Sequence, residues 1–184
     1  RRKSSFCRAL MPDVLARYYT DNLKLTSQGQ AERMLAEMGM LNMDEFDKYA
    51  ESKMPLLKNL MQMSVLNIRK AYQQNFGQLP RIASFIGTSN RFDLLTDPTG
   101  SRRFLCSEVK RDIDCTGIEH DRIFAQLKAE LIAGRRSWFT KSEEEGLQRH
   151  NEAFYRVSLA EEAVRSLFRA PLPAEKSIDL TAAD

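Results

Sequence analysis

The chain has 184 residues, 42% of them hydrophobic, and a formal net charge of +3. That is enough apolar material for one respectable core, and it argues against a disordered or strongly polycationic class, so any nucleic-acid footprint must come from local clustering. Cys7, Cys106 and Cys115 form an odd set without a C-x-x-C pair, which disfavours a disulfide framework or a ribbon-type zinc site, and no apolar run is long enough to span a bilayer.

In chain order, residues 4–10 suit a short helix with Phe6, Ala9 and Leu10 on its apolar side and Pro12 at its end. After a polar stretch, "AERMLAEMGM" predicts a helix ended by Gly39, and "MGMLNM" a short buried strand that runs straight into Asp44 and Glu45. "SKMPLLKNLMQMSVL" places Met54, Leu57, Leu60, Met61 and Val65 at helical spacing, with Pro55 tolerated in the first turn. "NIRKAY" and "LPRIASFIG" are strand-like runs around a hairpin tip at "QQNFGQ", and the second run ends at "TSN".

"TDPTGS" is turn chemistry, and "RRFLCSEVK" behind it predicts another strand. From Gly117 the pattern is helical: "IEHDRIFAQLKAELIAG" carries Ile118, Ile123, Phe124, Leu127 and Leu131 on one side, and "KSEEEGLQRHNEAFY" and "SLAEEAVRSLF" come after it. Ser142 with Glu145 reads as a capping box, Trp138 as a core residue, and His120 and His150 as helix-surface residues without a role. The division is a core over residues 1–116, a helical part of the same domain over 117–169 and a linker or tail over 170–184. The start at "RRKSS", without an initiator methionine, reads as the edge of a fragment, and the lack of a leader or membrane span points to the cytoplasm.

A chemically coherent set emerges from this layout: acids at one strand's end, an amide at another's and paired arginines after a turn. Asp44 can hold Mg²⁺ and Glu45 can orient or deprotonate an attacking water. Asn90 can fix that water, and Arg102 or Arg103 can neutralise charge developing on a γ-phosphate. Lys3 and Ser4 fit the last positions of G-x-x-x-x-G-K-[ST], where lysine reaches the β/γ-phosphates and the hydroxyl meets Mg²⁺, at a helix start that favours anions. Asp47 and Glu51 add acid density but read as surface residues. A metal site from Cys106, Cys115 and His120 matches no standard spacing.

Three segments, "MLNMDEFDKY", "RIASFIGTSN" and "DPTGSRRF", resemble the virulence-associated protein E family of P-loop ATPases, found in phages and mobile elements and similar to superfamily 3 helicases. The resemblance spans about Arg1 to Phe168, and "GTSN...TGSRRF" is its most specific part. It implies an α/β P-loop NTPase core of AAA+ or superfamily 3 type that lacks its first strand, with a helical C-terminal part. By position, Lys3, Ser4 and Ser5 match the nucleotide-binding Walker A end, Ser4 and Asp44 the Mg²⁺ ligands, Glu45 the catalytic Walker B acid and Asn90 the sensor. Arg102 and Arg103 match the family's arginine pair, with Arg102 favoured as a finger acting on a neighbouring subunit's ATP. The hairpin would present Arg69, Lys70, Gln74 and Phe76 to DNA.

The function implied by the resemblance is that of an ATP- and Mg²⁺-dependent DNA helicase or translocase working as a homo-oligomeric ring such as a hexamer. Two departures stand against it. Arg2 occupies the motif's last glycine, and the strand leading into the loop is missing, which predicts a gap in the sheet and weak nucleotide binding. Asn42 is a polar intruder in the strand before Asp44 and needs a partner if buried. The rival reading is a non-catalytic DNA-binding or assembly module with a degraded nucleotide site.

Overall fold

The computed structural model describes residues 2–23, 25, 28–49, 51–69, 76–96, 101–157 and 159–169. Helix α1 (Lys3–Ala9) leads into a 3₁₀ turn over Asp13–Tyr18 and a two-residue strand, β1 (Tyr19–Thr20). Helix α2 (Gln28–Glu37), strand β2 (Met40–Met43) and helix α3 (Met54–Gln62) come next. Strands β3 (Val65–Arg69), β4 (Phe76–Pro80) and β5 (Ser84–Gly87) follow, and Leu95 makes an isolated parallel bridge to Tyr155. Helices α4 (His120–Ile132), α5 (Lys141–Asn151) and α6 (Leu159–Leu167) make up the C-terminal part.

The strands form two sheets. β1, β2 and β5 are parallel in that spatial order, with Met40 beside Ser84 and Met43 beside Gly87, so Asp44 and Thr88 leave their strands at the same level. The three described strands are contiguous; the expected gap does not lie between them. β3 and β4 form a separate antiparallel hairpin in which Arg69 pairs with Phe76 and Val65 with Pro80.

Period-two alternation divides the central strand between two environments. Leu41 and Met43 enter the main core with Leu35, Leu57, Leu60 and Leu66 from α2, α3 and β3. Asn42, fully buried, faces the other way, where α1 is tied down by Ser4 to Asp44 and by Arg8 to Asp21. One face of the sheet is therefore greasy and the other is a polar seam leading to the ends of β2 and β5.

Several local expectations change. Val65 belongs to β3 rather than to the helix before it, and "LPRIASFIG" is split: Pro80 ends β4, the Arg81 N–H donates to the Ser64 carbonyl, and Ser84 starts β5 in the other sheet. Phe76 lies in β4 rather than at the tip, and the tip itself, with Lys70 and Gln74, lies outside the described residues. "RRFLCSEVK" is not a strand. Ser101–Arg103 form a 3₁₀ turn, and the backbone beyond it is satisfied by α5 instead of a ladder: Asn151 Nδ2 donates to the Phe104 carbonyl at 2.8 Å and His150 Nε2 meets the Cys106 carbonyl at 2.7 Å.

The capping box on α5 is Thr140 with Glu143, two residues before the expected pair, because Thr140 still has extended φ/ψ and its hydroxyl can turn back onto the Glu143 N–H. Trp138 is 70% exposed, so it is not core. The apolar stripe of α4 is exposed as well, with no buried residue on that helix. His120 has a partner after all, the Ala9 carbonyl at 2.8 Å, which ties α4 to the end of α1.

Candidate functional site

The site grows from the C-terminal ends of β2 and β5, where parallel strands in open α/β sheets deliver polar side chains. Asp44 leaves β2 exposed to solvent, and its Oδ1 accepts the Ser4 hydroxyl at 2.7 Å and the Thr88 hydroxyl in a shorter contact. Those two hydrogen bonds, Thr88 first and Ser4 second, hold the Asp44 carboxyl below the usual carboxylate range and keep it ionised. Lys3 Nζ donates to the Ser89 carbonyl at 2.5 Å and to Asn90 Oδ1 at 3.0 Å. Lys3, Ser4, Asp44 and Asn90, drawn from positions up to 87 residues apart, thus meet at one end of the sheet.

Two backbone conformations sharpen this end. Arg2, which caps α1, has φ 63° and ψ 25°, and Glu45, after Asp44, has φ 52°. Both lie in the left-handed region that costs an L-residue about 1–2 kcal/mol, and such outliers concentrate at functional sites. Arg2 therefore takes up a backbone conformation in which a glycine is at ease. Glu45 is held in its turn from both ends, by its own N–H on the Thr88 hydroxyl at 3.4 Å and by Lys48 Nζ on its Oε2 at 2.6 Å.

Beneath Asp44 the polar seam continues. Asn42 Nδ2 donates to Asp21 Oδ1 at 2.7 Å, Tyr19 donates its phenolic proton to the same oxygen at 2.6 Å, and Arg8 pairs with Oδ2 at 2.7 Å. Burial works to raise the Asp21 carboxyl, but the hydrogen bonds from Tyr19, Arg8 and Asn42 outweigh it and the net shift is downward. This supplies the partner that the buried Asn42 amide requires, although its Oδ1 has none among the described residues. Cys7 is buried beside the seam, and burial first, then the charges of Asp44 and Asp21, push its thiol up, away from the reactive thiolate.

A match over residues 1–156 to the virulence-associated protein E-like domain model covers most of the chain. The chain belongs to that family. No curated protein matches it significantly. Within this virulence-associated protein E-like domain the remaining expected residues are placed by the elements that carry them. Ser5 is exposed on the first turn of α1. Arg102 is exposed and Arg103 half-buried on the 3₁₀ turn packed against α5. Arg69 and Phe76 are the register pair nearest the tip of the β3–β4 hairpin.

The donor set around Asp44, a carboxylate and a hydroxyl, is hard oxygen and suits Mg²⁺, which usually takes one or two carboxylates and completes its shell with water and substrate phosphates. It does not make a stand-alone cage: among the described residues no group of three or more His, Cys, Asp or Glu is placed to hold a metal, and the Cys106–Cys115–His120 possibility falls with that. A cavity of about 650 Å³ lies elsewhere, lined by Gln28, Glu32, Arg33 and Asn67 among others, and none of the chemically suited residues reaches it. No helix among the described residues is long and apolar enough to cross a membrane.

Sequence reasoning missed three members of the site. Thr88 stands inside the "GTSN" motif, so its place was open to view, but its bond to Asp44 depends on the β2–β5 register. Asp47 read as a surface acid and is half-buried, accepting the Ser89 hydroxyl at 2.8 Å. Asp21 had no signal at all, because its partners come from α1, β1 and β2.

Proposed function

We propose that this domain binds ATP with Mg²⁺ and hydrolyses it, as the motor part of a phage or mobile-element protein that moves along or unwinds DNA. The observation that carries this reading is the convergence of Lys3 and Ser4, at the start of α1, on Asn90 and Asp44, at the ends of β5 and β2. A cation, a hydroxyl, an ionised carboxylate and an amide at one sheet end are the parts that phosphoryl transfer uses.

In this scheme Lys3 exchanges the Ser89 carbonyl and the Asn90 amide for phosphate oxygens, since its present partners are acceptors that phosphate can replace. Mg²⁺, held by Asp44 and the Ser4 hydroxyl, supplies shielding of phosphate charge when bound. Glu45 orients and deprotonates water once it parts from Lys48, and Asn90, released by Lys3, fixes that water. Ser5, on the same helical turn, contacts the nucleotide in this scheme. Arg102, with Arg103 behind it on the same 3₁₀ turn, serves the neighbouring subunit's ATP in a head-to-tail ring. The hairpin carrying Arg69, Lys70, Gln74 and Phe76 faces DNA.

Steady-state ATP hydrolysis by the full-length protein, with and without single-stranded DNA, tests this beside Lys3→Ala and Glu45→Gln. DNA-stimulated turnover that falls at least about 100-fold in both variants, with ATP binding spared in Glu45→Gln, is the expected result. Absence of turnover in folded, assembled protein would instead support a non-catalytic DNA-binding or assembly module, a reading favoured by the replacement of the motif's last glycine with Arg2.

A further inference from the structure

We infer that Asp47 is a positioning residue that fixes Asn90 for the reaction, a role that deepens and rests on the ATPase reading above. Residues 89 and 90 are gripped from two sides. Lys3, from α1, takes their acceptors, the Ser89 carbonyl and Asn90 Oδ1. Asp47 takes their donors: one oxygen, Oδ1, accepts the Ser89 hydroxyl at 2.8 Å and the Asn90 N–H at 3.3 Å.

The base of this clamp is firm. Asp47 lies in the 3₁₀ turn Phe46–Lys48, whose first N–H donates to the Thr88 carbonyl at 2.7 Å and whose Phe46 ring is buried, 6.1 Å from the Tyr49 ring and 5.6 Å from the Phe104 ring. An ionised carboxylate accepts only, so it suits a segment that offers it two donors in a row. The Ser89 hydroxyl is the chief reason that the Asp47 carboxyl sits below its ordinary range.

The clamp matters most when Lys3 turns to phosphate. Asn90 then loses its side-chain partner on that side, and the Asp47 bonds to Ser89 and to the Asn90 backbone, beside the local Ser89–Arg91 turn in which the Arg91 N–H donates to Ser89 Oγ at 2.9 Å, set where the amide points. Small displacements of a positioning group cost rate steeply. Asp47 touches neither nucleotide nor water in this scheme; it acts through Asn90.

The test uses the full-length protein and the variants Asp47→Ala, Asp47→Asn, Asn90→Ala and the Asp47→Ala/Asn90→Ala pair. Asp47→Ala is expected to lower kcat about tenfold, while KM and binding of a fluorescent ATP analogue change less than about threefold. Asp47→Asn keeps an acceptor oxygen and is expected to recover most of the rate, which also covers the case in which the alanine variant fails to fold. In the Asn90→Ala background, removal of Asp47 should cost less than about twofold, because residues acting as one unit are not additive. Losses that multiply, or an Asp47→Ala protein at the wild-type rate, would overturn the role. Amide exchange at Asn90 reads the clamp without nucleotide and should quicken at least about tenfold in Asp47→Ala; unchanged exchange rejects it. A wild-type protein lacking Lys3-dependent hydrolysis but showing this quickened exchange would sink the ATPase reading and the catalytic purpose assigned to Asp47, while leaving its grip on Asn90 standing.

Discussion

Lys48 Nζ lies 2.6 Å from Oε2 of Glu45, three residues earlier, so the acid assigned to water activation is paired to a cation of its own turn. The pair is solvent-exposed, with side chains 68% and 47% accessible, and such pairs are weak. Lys48→Ala is therefore expected to raise kcat by about two- to fivefold, by freeing Glu45 at small cost. Steady-state hydrolysis at low salt checks it, and the difference should shrink as ionic strength rises. A lowered rate would mean that Lys48 itself assists the reaction.

Arg2 holds a left-handed backbone that glycine adopts without a steric penalty. Arg2→Gly relieves that strain but loosens the unfolded chain, and the two effects together are expected to stabilise the protein by about 0.5–1 kcal/mol. Urea unfolding should show a higher midpoint at unchanged slope. Loss of stability would show that the arginine side chain contributes more than its backbone costs.

Acid should loosen the seam between α1 and the sheet. Asp44 is held down by Thr88 and then Ser4, and Asp21 is shifted down by Tyr19, Arg8 and Asn42 against the upward pull of burial. A carboxylate whose folded pKa is depressed adds stability that is present above its unfolded value, here near 3.8, and is lost as pH falls through the folded value. From pH 7 to about 5 these groups should leave the thermal midpoint flat, with a decline below about pH 4. The decline should be shallower in Asp21→Asn, and calorimetry of both proteins across that range decides it.

Asn151 is fully buried at the end of α5, where Nδ2 donates to the Phe104 carbonyl at 2.8 Å and Oδ1 accepts the Cys106 N–H at 3.4 Å. Asn151→Ala strands both backbone groups and is expected to cost about 2–4 kcal/mol. Because the same contact anchors the chain just after Arg103, limited trypsin digestion should cut at Arg102 or Arg103 sooner in the variant. An unchanged cleavage rate would show that the arginine turn is held by other contacts.

How much was legible depended on whether a feature is local. The α1 helix, the short apolar strand Met40–Met43 and the Pro55-started helix Met54–Gln62 all arise from spacing and end signals that neighbours in sequence supply. The candidate residues Lys3, Ser4, Asp44 and Asn90 were likewise visible, because their types and order already suit one chemistry. The strand expected at "RRFLCSEVK" failed for a non-local reason: Asn151 and His150, more than 40 residues on, satisfy that backbone without a ladder. Trp138 and the stripe of α4 failed because hydrophobicity shows which side chains prefer burial, not whether the fold supplies a surface to cover them.

By itself, then, the sequence determined the helices, the central strand and the inventory of charged and polar groups, since periodicity and capping act within a few residues. Only the tertiary structure decided that Ser4 and Thr88 share one oxygen of Asp44, that Asp21 is the partner of Asn42, and that Asp47 grips the segment Lys3 holds from the other side. Those relationships depend on the parallel register of β2 against β5 and on the seat of α1 on the sheet. A hydrogen bond has a reach of about 3 Å, and only folding brings groups tens of residues apart within it.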